Sequence, residues 1–340
     1  MGTSENSLKH FQNIENITPR IYYHYTSLDA LFNIVKEKSF RMTSLRSTND
    51  KRELFYSVDN FLVDLNNVCE NEADENTKKC LYRLKRSIDD NIKIFEKDCK
   101  SKHTPYAFCL SKKRDNLTHW DRYACNCTGV CIGFNVAAFD VLYKRTGNRF
   151  FGTSLFDIGE ILYTQENILQ CIRNTTIDLV NSLAESTKID SEFNFKASLS
   201  TLGFMYMAIV YRRIMKFTKN SSFIDEDEIR LYHETESISK TLSLIKEMTN
   251  DLRQTIDIDF EVLYHNLIKE LRIEEEHFMM SRAGIRSYHN LHLEQIWGSG
   301  LIPEIILGPM CVQNRKELER FLRNNGLANT KICLSKTPIR

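Results

Sequence analysis

The sequence predicts an α+β fold: a mixed, mostly antiparallel sheet flanked by helices, with a large helical portion in the second half. Three observations lead there. β-prone runs and amphipathic helical windows follow one another without the regular βαβ succession that builds a parallel sheet. Only 5 prolines and 12 glycines occur among 340 residues, too few for long disordered linkers. Hydrophobic residues make up 42% of the chain, enough for a substantial core.

The elements follow in order. IYYHYTS (Ile21–Ser27) is rich in β-formers. Thr26 or Ser27 can cap the next helix, LDALFNIVKEK, whose Leu28, Leu31, Phe32 and Val35 share a face. SFRMTSL reads as a short strand. In NDKRE, Asn49 or Asp50 caps a helix start and Glu53 returns toward the cap, fixing the loop after that strand. NTKKCLYRLKRSIDDNIKIFEKDCK is a helix with a polar face. A strand (Tyr106–Leu110), a helix (Asn116–Ala124) and a strand (Gly129–Phe134) come next, then helix FNVAAFDVLYKR and strand SLFDIGEILYT. Helical patterning dominates from Gln165 to about Lys219 and from Ser237 to about Glu275. Between them SFIDEDEIRLYHE reads as a strand with an acidic approach. RSYHNLHLE and IPEIILGP are strands, NRKELERFLRNNG is a helix capped at Gly326, and KICLSKTPIR is the last strand.

The formal net charge of +1 argues against a dedicated nucleic-acid coat, though it leaves room for a local basic groove. The N-terminal segment lacks the apolar centre of a secretory leader, and no run is long enough to cross a bilayer. The 10 cysteines are scattered, as expected for reduced thiols in a cytoplasm.

Several residues could carry chemistry. His24 falls on the opposite strand face from Tyr23 and Tyr25. It is either an interior histidine bonded to backbone or a polar handle in a pocket with aromatic walls, Tyr25 among them. Such a pocket suits a nucleotide ribose or a flat heteroaromatic ring. Trp120 and Tyr123, three apart on a helix, share a face and serve as core packing or as a pocket wall. Cys125, Cys127 and Cys131, with His119 nearby, lack the paired knuckles of a zinc site; Cys131 reads as a small buried hydrophobe, and no metal is expected. In an extended strand Glu226, Glu228 and Arg230 point the same way. Paired carboxylates repel, which raises one pKa, and Arg230 opposes the shift. The triplet is a solvated edge or a polar cluster inside a cleft.

Five blocks carry a family resemblance: YYHYTSLDALFNIVKEKSFRMTSLRSTNDKRE, FCLSKKRDNLTHWDRYACNCTGVCIGFN, KNSSFIDEDEIRLY, IPEIILGP and ICLSKTPIR. Together, from about Ile21 to Arg340, they resemble the bacterial domain-of-unknown-function 2971 (DUF2971) family. Lys51 stands where that family usually has proline. The resemblance implies an extension at 1–20 and a single domain at 21–340, with a helical insertion at about 237–275.

A more distant pattern is similar to ADP-ribosyltransferases of the H-Y-E type: an early strand His, aromatic residues midway, and a late E-x-E. It implies NAD as the substrate, with no metal. Glu228 would be the catalytic carboxylate and Glu226 the acid two before it. His24 would contact ribose and Tyr123 stack on the nicotinamide, with Tyr25, Trp120 and Arg230 also in the cofactor site. The acceptor would be a protein, a nucleic acid or water, in a setting such as phage defence or toxin biology. Two other readings compete. One is a non-catalytic module binding a nucleotide or a protein. The other is a Mg²⁺-dependent, nuclease-like hydrolase built on Asp50, Glu53, Glu226 and Glu228.

Overall fold

The computed structural model describes residues 21–47, 105–139, 156–171, 216–234, 276–281, 284–298 and 300–338, with 173–174 and parts of 66–86. The expectations for Asn49, Asp50 and Glu53, for the extension at 1–20 and for the insertion at 237–275 lie outside the described residues. Most of the helical portion expected before Lys219 lies outside them too.

The described chain is α+β, with its strands joined in a 10-stranded sheet. β1 (Ile21–Thr26) leads into α1 (Leu28–Glu37), where Ser27 Oγ accepts from Ala30 N at 3.0 Å and caps the helix. Leu31, Ile34 and Val35 face the core, while Phe32 stacks on Phe321 of the last helix, centroids 5.1 Å apart. β2 (Ser39–Ser44) follows. Next are β3 (Pro105–Ser111), the short helix α2 (Leu117–Tyr123) and β4 (Val130–Asn135). β5 (Phe156–Glu160) and β6 (Glu228–Glu234) pair with each other. β7 (His277–Ser281) and β8 (Gly284–His292) form a hairpin. β9 (Glu304–Leu307), α3 (Arg315–Asn324) and β10 (Lys331–Leu334) close the chain. Among the described residues, β9–β10 is the one parallel pair of named strands and the other pairs are antiparallel.

β7 corrects the sequence expectation, in which strands resume only at Arg286. Its alternate residues Phe278 and Met280 are exposed, so it carries no core-facing apolar stripe to reveal it. The hairpin is set instead by Gly284 at φ 106° and by Ser281 Oγ donating to Gly284 O at 2.8 Å.

The sheet divides at β3. One edge of β3 pairs with β6 along its whole length, from Pro105 to Ser111. The other edge is shared: β2 takes Tyr106 and Ala107, and β1 meets it at Ser111 alone. Between those points β1 and β2 diverge. β1 continues through β4, β9 and β10; β2 continues through β8 and β7.

Alternation then assigns the two faces. Tyr106, Phe108 and Leu110 of β3 and Ile229 and Leu231 of β6 enter the main core with Val35, Phe40 and Phe134. The other face holds Ala107, Cys109, Glu228 and Arg230, which border a cavity. Among the described residues no helix is long and apolar enough to cross a membrane.

Candidate functional site

Where β1 and β2 part, a cavity of about 260 Å³ opens over β3. β1 supplies Tyr23, His24 and Tyr25; β2 supplies Arg41 and Thr43; β8 supplies Arg286. α2 and the turn before β6 complete it.

His24 fills the gap in the β3 ladder. Its Nδ1 lies 2.9 Å from Cys109 O, a carbonyl on the divided edge of β3. A carbonyl only accepts, so Nδ1 carries the proton and Nε2 keeps its lone pair. The ring stacks on Phe108 at 4.3 Å. Burial lowers its pKa to about 4 against the opposing pull of the Cys109 bond, so at neutral pH it is an uncharged acceptor. Tyr25 is tied to main chain: its hydroxyl donates to Lys113 O at 2.8 Å and accepts from Asn116 N at 3.0 Å. Asn116 caps α2, so this hydroxyl positions the helix that carries His119 and Tyr123.

The acidic pair is built differently from the sequence expectation. Glu226 is not in the strand. It ends a 3-10 turn (Ser221–Glu226), and Asp227, at φ 46°, swings the chain into β6. Asn220 caps that turn through Ser222 N at 2.9 Å. The Glu226 carbonyl is then pinned by Ser111 Oγ at 2.7 Å and His119 Nε2 at 3.0 Å. The two acids still converge, but through a cation rather than through strand periodicity. Lys219 Nζ lies 2.6 Å from Glu226 Oε2 and 3.1 Å from Glu228 Oε2. Arg230 Nε donates to Glu228 Oε1 at 2.9 Å, and its Nη1 to Lys216 O at 2.9 Å. Tyr123 donates to Glu226 Oε1.

β6 lies between β3 and β5, and Glu228 and Arg230 are buried, so the triplet is a cluster inside a cleft and not a solvated edge. Of the two opposing effects expected for the pair, the cationic one prevails at Glu228. Burial pushes its carboxyl up, but the charges of Arg230 and Lys219 and the Arg230 hydrogen bond outweigh it, and it falls to about 2. Glu228 is a fixed anion near neutral pH. Burial raises the pKa of the Cys109 thiol beside it and of the Tyr123 hydroxyl.

The cavity thus brings together His24, Tyr25, Tyr123, Glu226, Glu228 and Arg230. Trp120 is the exception. It is fully buried behind the cavity, edge-on to Tyr25 at 4.9 Å, with Nε1 donating to Asp115 Oδ1 at 2.6 Å. Three residues on a helix differ by about 60° in direction, enough on a short helix to send Trp120 into the core and Tyr123 to the cavity. His119, one turn from Tyr123, shares the cavity face. His119, Lys219, Arg41 and Arg286 also border the cavity, beyond the residues that the sequence pattern assigns to it. The i,i+4 spacing of His119 and Tyr123 was the available signal; the two arginines look like ordinary polar positions of half-exposed strands. Cys131 is buried as expected, and among the described residues no cluster of three His, Cys, Asp or Glu side chains could hold a metal ion.

Residues 119–231 match the family model described as a protein of unknown function, DUF2971. The match runs from α2 through the acidic turn into β6, and so spans Tyr123, Lys219, Glu226, Glu228 and Arg230. No curated protein and no solved structure matches the chain.

Proposed function

We propose that this protein is an NAD-consuming enzyme that breaks the nicotinamide–ribose bond and passes ADP-ribose to water or to a protein or nucleic-acid acceptor. One observation carries the proposal: His24 and the Glu226–Glu228 pair, two hundred residues apart in the chain, border the same cavity at the division of the sheet. Cleaving the bond builds positive charge on the ribose. Glu228, ionised well below neutral pH, is a preorganised anion able to face that charge. It is too weak a base to remove a proton, so positioning or activating the acceptor falls to Glu226 with its Tyr123 partner. His24 offers an imidazole acceptor to a ribose hydroxyl, and Tyr23 and Tyr25 offer aromatic surface. Lys219 positions both acids.

The same geometry disfavours a magnesium site. All four oxygens of Glu226 and Glu228 already engage Lys219, Arg230 or Tyr123. A metal ion would have to displace buried cations.

The test is nicotinamide release from NAD by the full chain, with Glu228→Gln and His24→Ala as controls. Release is expected from the wild type. A fall of about a hundredfold or more is expected in Glu228→Gln, the scale of losing a group that stabilises transition-state charge. Tight NAD binding by a folded wild type with no turnover would instead make the protein a binding module.

A further inference from the structure

The turn that ends in Glu226 is held from β3, from the loop after it and from α2. Ser111 Oγ of β3 donates to the Glu226 carbonyl at 2.7 Å, and Lys113 Nζ of the loop donates to Asp225 O at 2.6 Å. His119 of α2, 3% exposed, places its Nε2 3.0 Å from the same Glu226 carbonyl. Its other ring nitrogen, Nδ1, lies 2.9 Å from Asn116 Oδ1. That atom is an oxygen, because it also accepts the main-chain His119 N–H at 3.2 Å and caps the helix. The ring therefore faces an acceptor at each nitrogen. A neutral imidazole donates to one of them, a charged one to both.

Among the described residues the titratable groups facing this ring are Tyr25 of β1, Lys113 of the loop, Arg122 and Tyr123 of α2, and Glu226 of the turn. Burial disfavours the charged ring, as do Lys113 and Arg122, and together they outweigh Glu226 and its carbonyl. The pKa is lowered, so the ring is neutral at neutral pH and one of its contacts sets a lone pair against an oxygen. Asn116 is half-buried, and its side chain can shift and take water. The Glu226 carbonyl is main chain, sits in a buried contact and is fixed by Ser111. The mismatch costs less at Asn116.

We propose that His119 is a positioning residue: neutral, with its proton on Nε2, it donates to the Glu226 carbonyl and ties the acid turn to α2. Tyr123, one turn further along α2, donates to the Glu226 carboxylate. The tie fixes both ends of that contact, the helix that carries Tyr123 and the main chain that carries Glu226. Its consequence for turnover rests on the NAD reading; the tie itself does not.

NMR of the full chain with isotope-labelled histidine reads the tautomer directly, with His119 assigned by its loss in His119→Gln. A proton on Nε2 at neutral pH is expected. A proton on Nδ1 alone, or a doubly protonated ring, overturns the proposal. Hydrogen exchange at the Ser222, Phe223 and Asp227 amides, which bond to Asn220 and Ile224, reads the tie without a ligand. His119→Phe keeps a ring against Tyr25 but has no donor, and exchange there should quicken about five- to tenfold, the scale of one neutral hydrogen bond. His119→Gln carries an amide donor and should restore most of the protection. Equal exchange in the two variants overturns the tie. Should His119→Phe fail to fold, the tautomer in the wild type still decides.

The kcat for nicotinamide release should fall about five- to tenfold in His119→Phe with KM unchanged, and recover in His119→Gln. A raised KM with unchanged kcat would overturn the positioning role and make His119 a ligand contact. Exchange that follows the expected order in a protein that releases no nicotinamide keeps the tie and removes the NAD-cleaving activity.

Discussion

The two walls of the cavity are held by different forces. On the β1 wall, His24 and Tyr25 are uncharged, and each is anchored by main-chain groups of β3 or of the loop before α2. On the β6 wall, Glu226, Glu228, Lys219 and Arg230 are anchored largely by one another. Removing a member of the first wall costs its own contacts. Removing a member of the second strands a buried charge. The β1 wall should therefore tolerate substitution one residue at a time, and the β6 wall should behave as a unit.

The sharpest way to break this contrast is Glu228→Gln. The substitution keeps shape but leaves Arg230, 1% exposed, facing a neutral amide. A loss of about 3–5 kcal/mol is expected in urea denaturation, the usual scale for an uncompensated buried charge. Arg230→Met in the same background should recover much of it. A single-variant loss below about 1 kcal/mol, or no recovery in the double variant, would mean that the charges do not depend on one another. This result also bears on the activity assay, since a fall in turnover in Glu228→Gln counts as chemical only where the variant is folded.

Acid should separate the walls by pH. The carboxyl of Glu228 goes from its ordinary 4.5 to about 2 on folding. The unfolded chain takes up that proton first as pH falls, so the contribution is whole above pH 4.5 and lost as pH drops toward 2. His24 goes from 6.5 to about 4. Again the unfolded chain protonates first, so its contribution is whole above pH 6.5 and lost by about pH 4. The β1 wall thus weakens at milder acidity. His24→Gln should flatten the stability–pH curve between pH 6.5 and 4 by up to about 1.4 kcal/mol per pH unit. Burial also lowers the pKa of His119, so part of the slope should remain. An unchanged slope in the variant would show that His24 is not held neutral by the fold.

Why the β1 wall was legible in sequence and the β6 wall only partly so follows from the same contrast. Period-two alternation fixes the faces of IYYHYT, and β1 has Tyr22 and His24 on one side with Tyr23 and Tyr25 on the other. The caps at Ser27, Asn116 and Asn314 are equally local and mark the starts of their helices. Glu226 obeys no such rule. Its place depends on Asp227 adopting a left-handed conformation and on a lysine seven residues back, itself aligned by the bridge between Leu162 and Thr218. The division of β3 between β1 and β2 is a long-range pairing that no local window contains. Neither is the meeting of Arg41 with Tyr288.

The smallest expected effect is also the cleanest probe of the neutral wall. Tyr25→Phe keeps the ring edge-on to Trp120 at 4.9 Å but deletes the hydroxyl that bridges Lys113 O and Asn116 N. Two neutral hydrogen bonds are lost, each worth about 1 kcal/mol net, so a stability loss of about 1–2 kcal/mol is expected. Asn116 Oδ1 still accepts from His119 N, so α2 should form, though its start is less firmly tied to β1. Because α2 carries Tyr123 to Glu226, nicotinamide release should fall only modestly, and should fall more in the double variant Tyr25→Phe, Tyr123→Phe than the two single effects predict. Thermal or urea unfolding of Tyr25→Phe decides the matter: a loss as large as that of Glu228→Gln would show that the two walls are one cooperative unit, with the hydroxyl at 25 as a principal joint between them.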